Sequence, residues 1–127
     1  MKKKALRVPD YLSHILEAIR RIQRYAQGKS LDAFMADEQL QDAVVRNIEI
    51  IGEASRNIET HSPHFVAQHG EVPWAALYAM RNRVTHGYWA VDLAVVWQVV
   101  QRELPILEAQ IQALLPADDL PTGEGPQ

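Results

Sequence analysis

The sequence predicts an all-α bundle of four main helices with one or two short helices between them. Apolar residues recur every three or four positions through most of the 127-residue chain, which is the spacing of one helix face. No segment shows the strict alternation of apolar and polar residues that marks a half-buried strand. Hydrophobic residues make up 47% of the chain, which is enough to build the core of one domain.

The first helix is expected to begin with Asp10 as its N-cap and to stop at Gly28. Its predicted core-facing stripe consists of Leu12, Ile15, Leu16, Ile19 and Ile22. After the glycine, Ser30 is placed to cap a short helical turn that ends before Asp37.

The second helix is predicted from about Asp37 to Ile58. Its apolar stripe consists of Leu40, Ala43, Val44, Ile48, Ile51, Ala54 and Ile58. Gly52 lies in the middle of this helix, where glycine is less favourable than alanine by up to about 1 kcal/mol. We interpret it as a position where another helix approaches closely. One short helix is expected after Ser62.

The third main helix is predicted to start at Pro73 and to end near Gly87. One of its faces carries Trp74, Leu77, Met80 and Val84. Asp92 is expected to cap the last long helix, and Pro105 predicts a kink near Glu103. The core face of that helix is predicted to carry Leu93, Val96, Trp97, Val100, Leu104, Leu107 and Ile111. We therefore divide the chain into a basic extension (1–8), a helical domain (9–115) and a polar, flexible tail (116–127).

Composition limits the possible functions. The chain has no cysteine, so a disulfide scaffold and a thiolate metal site or nucleophile are excluded. The basic N-terminus is not followed by a continuous apolar stretch, so neither a signal sequence nor a membrane span is expected. A cytoplasmic location follows as the expectation. The formal net charge of −3 does not favour generic duplex binding. Nucleic acid would have to bind at a local site or with help from a partner.

Residues 80–89, "MRNRVTHGYW", concentrate polar groups at the end of an apolar run. Asn82 and His86 are four residues apart and share a helix face, so the amide could orient the imidazole. Arg81 lies about 100° around the helix, within reach of His86. A histidine can act as general acid or base near neutral pH. An arginine can bind a phosphate and stabilise the charge that develops on it. RNA would supply its own nucleophile, the 2′-hydroxyl.

Chemistry alone leaves alternatives open. The Arg–Asn–His face is also what a solvated helix end looks like, with cations near the C-terminal dipole. Glu49 and Glu53 on the second helix could pair with an arginine, most simply as a structural ion pair. Two other candidates are weaker. A zinc site at His61, His64 and His69 lacks a completing ligand. Arg46 and Arg83 could help two copies of Arg81 to hold a single strand, but they are more simply read as solvated helix arginines.

The motif Arg81-Asn82-x3-His86-x-Tyr88 resembles the R-x4-6-H motif of HEPN ribonucleases. Its H-x-Y extension narrows the resemblance to the HepT toxins of HepT/MntA toxin–antitoxin systems. Four further stretches resemble the same family and occur in the same order: "DYLSHILEAI", "AVVRNIEIIGEAS", "VPWAALYAMRN" and "VWQVVQRELPIL". The resemblance covers about residues 9 to 115.

The resemblance implies a HEPN-type helical bundle that forms a homodimer, with the two motifs meeting at the interface. It implies a metal-independent endoribonuclease toxin without a cofactor, in which Arg81, Asn82 and His86 are the catalytic residues. It also implies an antitoxin partner, an MntA-like nucleotidyltransferase that transfers AMP from ATP to Tyr88. The RNA cleaved, the number of AMP units and any higher hetero-oligomer with the antitoxin stay open.

A function from another class also fits the sequence. The chain could be a non-catalytic accessory or substrate-binding subunit of a nucleotidyltransferase. Both hypotheses need Tyr88 and an interaction surface, but only the ribonuclease needs Arg81 and His86 to act on RNA.

Overall fold

The computed structural model describes residues 6–85 and 92–116, and most of these residues are helical. The helices are α1 (Val8–Ala26), α2 (Leu31–Met35), α3 (Glu38–His61), α4 (Pro63–Gln68), α5 (Trp74–Thr85), α6 (Leu93–Gln98) and α7 (Leu104–Leu114). A π-helical turn, Val99–Glu103, joins α6 to α7. The described ranges contain no strand, so the predicted all-α bundle is confirmed. Most of the predicted basic extension and polar tail lies outside the described residues.

Three helix starts are capped by a polar side chain, and at Ser30 and Asp92 this is the cap that the sequence indicated. The Asp37 carboxylate accepts a hydrogen bond of 3.0 Å from the backbone N–H of Leu40 at the start of α3. The Ser30 hydroxyl accepts one of 3.1 Å from Ala33 in α2. Asp92 accepts one from Ala94 in α6. Each cap satisfies a backbone donor that the first helical turn leaves without a partner.

The predicted N-cap of α1 is wrong. The helix begins at Val8 with Arg7 as its N-cap, and Pro9 lies within the first turn. Asp10 occupies the third helical position, where its carboxylate accepts a hydrogen bond of 2.8 Å from the Arg7 backbone N–H. The aspartate therefore still stabilises this terminus, but from inside the first turn. At the other end, Gly28 has a φ of +74° just beyond the helix, as its predicted role as a stop signal requires.

The core forms where α1, α3 and the C-terminal helical segment pack together. The apolar stripe predicted for α1 is buried. The stripe predicted for α3 is buried except for Ala43, and the stripe predicted for the last long helix is buried except for Leu93. Phe34 of α2, which the sequence did not single out, is fully buried and stacks on Trp97 with ring centroids 4.9 Å apart. This aromatic pair fastens the short helix to α6.

Helix α3 is the central element, because both α1 and α5 pack against it. Tyr11 near the start of α1 stacks on His61 at the end of α3, with ring centroids 6.3 Å apart. Near the other end of α1, Arg21 donates a hydrogen bond to Asn47 in the first half of α3. The two helices are therefore antiparallel. No helix among the described residues is long and apolar enough to cross a membrane.

The irregularity expected before Pro105 takes the form of the π-helical turn Val99–Glu103. A proline inside a helix has no N–H to donate, and its ring clashes with the carbonyl group four residues earlier. For Pro105 that carbonyl belongs to Gln101, which lies inside the π-helical turn. The wider turn makes room for the ring, and Pro105 then falls in the first turn of α7.

Candidate active site

Arg81 lies where α5 makes a close approach to α3. A Cβ atom added to Gly52 of α3 would overlap the Cβ of Arg81, and it would lie 2.9 Å from the backbone oxygen of Leu77. No side chain larger than hydrogen fits there without a shift of one helix. The interpretation of Gly52 as a point of close helix approach is therefore confirmed.

The guanidinium of Arg81 is held by two neighbouring side chains. Its Nη2 forms an ion pair with Oε2 of Glu53, and its Nη1 donates a hydrogen bond of 2.9 Å to Oδ1 of Asn82. Its Nε is buried and has no hydrogen-bond partner among the described residues. The guanidinium lies over the ring of Tyr78, and the guanidinium carbon is 5.8 Å from the ring centroid. The arginine is therefore oriented before any ligand arrives.

These contacts belong to a row of three cross-helix contacts, which we call the α3–α5 seam. Glu49 accepts a hydrogen bond of 2.9 Å from the Thr85 hydroxyl, Glu53 pairs with Arg81, and Arg56 lies over the ring of Tyr78. The α3 members are four and three residues apart. Along the same row their α5 partners decrease in residue number by four and then by three. This register shows that α5 is antiparallel to α3, with the seam along one side of their contact.

The expected role of Glu53 is confirmed, since the sequence indicated that it could form an ion pair with an arginine of the motif. The Glu53 side chain is 50% exposed and that of Arg81 is 22% exposed. Exposed ion pairs contribute about 0–1 kcal/mol to stability, so this pair orients the arginine more than it stabilises the fold. Because Glu53 is half-exposed, a negatively charged ligand could displace its carboxylate from Arg81.

Two of the predicted site residues, His86 and Tyr88, lie outside the described residues. α5 is described up to Thr85, the residue before His86. The contact in which the Asn82 amide would orient the His86 imidazole therefore stays a prediction. Since the carbonyl end of Asn82 already accepts from Arg81, its NH₂ end is the group left to donate to an imidazole.

None of the remaining candidates contacts Arg81 in the described part of the chain. Arg46 forms a 3.7 Å ion pair with Glu49 on its own helix, and its side chain is 70% exposed. Arg83 is exposed. His61, His64 and His69 each interact with a different neighbour, namely Asn57, Gln68 and Glu71. In the described part of the chain no three histidine or acidic side chains are grouped so that they could hold a metal ion.

Sequence reasoning missed three members of the seam: Arg56, Tyr78 and Thr85. Tyr78 and Thr85 lie three residues before and four residues after Arg81, and Arg56 lies three residues after Glu53. The helical steps were therefore visible in the sequence. The missing information was the register, which Gly52 supplies once it is known to face Arg81.

The arrangement provides an oriented cation beside a polar, partly exposed surface. A guanidinium carries five N–H donors, and the described side chains use one on Nη1 and one on Nη2. The other N–H of each Nη atom can bind a phosphate oxygen. The site thus fits an anionic ligand whose phosphate lies near the end of α5. The last described residue there is Thr85, which precedes His86 in the sequence.

Comparison with known proteins places this chain in a family. The family model described as "Ribonuclease HepT-like" matches residues 15–114. A protein of Thermococcus cleftensis named "Probable ribonuclease HepT" is 38% identical over 105 residues, which are 83% of this chain and 93% of that protein. A "Putative RNase" of Caldanaerobacter subterraneus is 35% identical over 105 residues, which are 83% and 91% of the two chains.

A third relative is longer than this chain. It is the "Gamma-glutamylcyclotransferase and putative RNase" of Methanocaldococcus jannaschii, 39% identical over 108 residues. The match covers 85% of this chain but 47% of that protein, so the chain spans about half of the relative's length. No solved structure is significantly similar to this chain. The family model and the two relatives of similar length agree, and the chain belongs to the ribonuclease HepT-like family.

Proposed function

We propose that this protein is a metal-independent endoribonuclease and the toxin of a HepT/MntA-type toxin–antitoxin system. The observation that carries the proposal is an oriented arginine, Arg81, in a chain that belongs to the ribonuclease HepT-like family. The arginine is pinned against Gly52 and oriented by Glu53 and Asn82. It also lies five residues before a histidine that can transfer protons.

The proposed reaction uses the RNA itself as the nucleophile. The ribose 2′-oxygen attacks the adjacent phosphorus while His86 accepts the hydroxyl proton. The bond from phosphorus to the 5′-oxygen breaks, and a protonated histidine gives that oxygen a proton. The products are a 2′,3′-cyclic phosphate and a 5′-hydroxyl. Arg81 binds the non-bridging oxygens and stabilises the charge that they gain.

Purified protein and a defined single-stranded RNA test this proposal directly. The cleaved RNA should carry 2′,3′-cyclic phosphate and 5′-hydroxyl ends, and EDTA should not slow its formation. Loss of cleavage in EDTA, with recovery on adding a divalent metal ion, would contradict the metal-independent mechanism. RNA binding without cleavage would favour the accessory-subunit function.

We further propose that two copies of the chain form the working enzyme. Two motifs related by a two-fold axis would supply a base, an acid and two arginines for one phosphate. Support comes from α5, of which Trp74 is buried while Leu77, Met80 and Val84 stay half-buried. A hollow of about 200 Å³ lies between α3, α5 and the π-helical turn, with Leu77 and Met80 in its wall. Together they leave apolar surface next to the motif for a second copy.

The expected mass in solution at micromolar concentration is that of a dimer, as measured by light scattering after size-exclusion chromatography. The matching activity test mixes wild-type protein with an excess of His86→Ala protomers. If both motifs serve one phosphate, each wild-type protomer paired with a variant protomer should lose cleavage, so the excess variant should lower the activity of the wild-type protein; independent sites would leave that activity unchanged. A monomeric mass combined with full activity would contradict the dimer.

We propose Tyr88 as the residue through which the antitoxin, an MntA-like nucleotidyltransferase, acts. The phenol oxygen would attack the α-phosphorus of ATP. A new P–O bond forms, the bond to the β-phosphate breaks, pyrophosphate leaves and the phenol proton passes to a base. The AMP would then lie two residues from His86 in the sequence. Its phosphate could pair with Arg81 and occupy the place of the RNA phosphate.

After incubation with the cognate nucleotidyltransferase, ATP and magnesium, the wild-type chain should gain the mass of one or more AMP groups and lose RNA cleavage. Tyr88→Phe should keep its mass and remain active, because it lacks the attacking oxygen. Tyr25→Phe is the matched control, since Tyr25 is an exposed tyrosine on α1, and this variant should be modified normally. An adduct on Tyr88→Phe, mapped to another residue, would overturn the assignment.

A further inference from the structure

We propose that Arg56 and Tyr78 form a subsite that binds the single-stranded RNA next to the phosphate held by Arg81. In this subsite the Arg56 guanidinium binds a backbone phosphate and offers its flat face to a base, and Tyr78 positions the guanidinium. The inference rests on the proposed ribonuclease function, and it assigns a binding role to two residues that lie outside the motif.

The geometry places Arg56 beside Arg81. The guanidinium carbon of Arg56 lies 5.1 Å from the centroid of the Tyr78 ring, and that of Arg81 lies 5.8 Å from the same centroid. One half-buried aromatic ring thus holds both cations. Their separation is limited by these two distances, so an RNA strand bound at Arg81 passes close to Arg56.

Charge distinguishes Arg56 from two of the other arginines on α3 and α5, Arg46 and Arg81. Arg46 pairs with Glu49, and Arg81 pairs with Glu53. Arg56 is exposed and forms no ion pair or hydrogen bond with the residues that the structure describes; its contact there is with the ring of Tyr78. Glu53, the carboxylate three residues earlier, is engaged by Arg81. Arg56 therefore presents a positive charge that no described carboxylate neutralises.

The chemistry of this pair suits single-stranded RNA. A guanidinium can bind a phosphate through its N–H edge. Bases of single-stranded RNA stack on aromatic rings and on arginine planes. Stacking does not depend on base identity, so the subsite would add affinity without strong sequence preference. It would also give a chain whose formal net charge is −3 a local positive charge for RNA, because Arg56 is not paired with a described carboxylate.

The test measures the affinity of a short, fluorescein-labelled single-stranded RNA whose 2′-oxygens are methylated, so that it cannot be cleaved. Arg56→Ala is expected to weaken binding about fivefold and to lower the slope of log affinity against log salt by about 0.7, the value for one phosphate on a single strand. Arg24→Ala is the matched control, because Arg24 is an exposed arginine on α1, and both quantities should stay unchanged in this variant.

A second pair of variants tests the role of the ring. Tyr78→Phe keeps an aromatic surface below Arg56 and should bind RNA like the wild type, whereas Tyr78→Leu should bind as weakly as Arg56→Ala. Unchanged affinity and salt slope in Arg56→Ala, with the fold intact by circular dichroism, would overturn the subsite. If that variant instead loses the antitoxin, the pair belongs to a protein interface. Because the probe cannot be cleaved, this result is independent of whether the wild type cleaves RNA.

Discussion

Arg81→Ala and His86→Ala are each expected to lower the rate of RNA cleavage by about a hundredfold or more while leaving the fold intact. For Arg81 the structure explains why the fold should survive. Alanine keeps the Cβ atom that faces Gly52, so the helix contact is unchanged. The Glu53 carboxylate that loses its partner is half-exposed and can be hydrated. The lost activity would then report on the guanidinium alone.

Initial rates on a single-stranded RNA at saturating concentration measure this loss. Arg83→Ala is the matched control: Arg83 is two residues away on the same helix and exposed, and its variant should retain nearly full cleavage. Arg81→Lys should recover little, because lysine keeps the charge but not the planar fork that holds two oxygens. Full activity in either alanine variant would remove that residue from the mechanism.

The helices themselves could be predicted from local patterns. The stripe on α1 needs only the spacing of its apolar residues, and the caps at Ser30, Asp37 and Asp92 need only a polar side chain that reaches a free N–H two or three residues on. The start of α1 was misplaced because an aspartate can stabilise a helix from its N-cap or from the third helical position, and the sequence does not distinguish the two.

The π-helical turn and the α3–α5 seam could not be predicted in the same way. Pro105 marks a place where regular geometry must change, but several local rearrangements would satisfy it. The seam depends on which residues of α3 face α5, and that register is set by tertiary packing. Gly52 was the one visible clue, because a mid-helix glycine is unfavourable unless something lies against it. Arg81, Asn82 and His86 could be singled out from their chemistry and spacing, and the resemblance supplied the role of Tyr88, while Arg56 and Tyr78 required the packed structure.

Gly52→Ala is expected to destabilise the protein by about 1–3 kcal/mol, although alanine is the better helix former by about 1 kcal/mol. The new Cβ would overlap that of Arg81 and press on the backbone oxygen of Leu77. Both are fixed parts of α5 rather than the ends of flexible side chains. The two helices must therefore separate, and the packing loss should exceed the gain in helix propensity.

Thermal unfolding at fixed protein concentration measures this effect, and we expect the Tm to fall by roughly 5–10 °C. Gly70→Ala is the matched control, since a Cβ at Gly70 meets nothing within 4 Å, and its Tm should change little. Below its Tm, Gly52→Ala should also cleave RNA more slowly, because the shift of α5 displaces Arg81, and a misplacement of about 1 Å can lower a rate about a hundredfold. A Tm equal to or above the wild-type value would mean that helix propensity outweighs packing and that α3 and α5 do not meet at Gly52. A lowered Tm with full cleavage would separate the two roles and show that Arg81 keeps its catalytic position when the helices move.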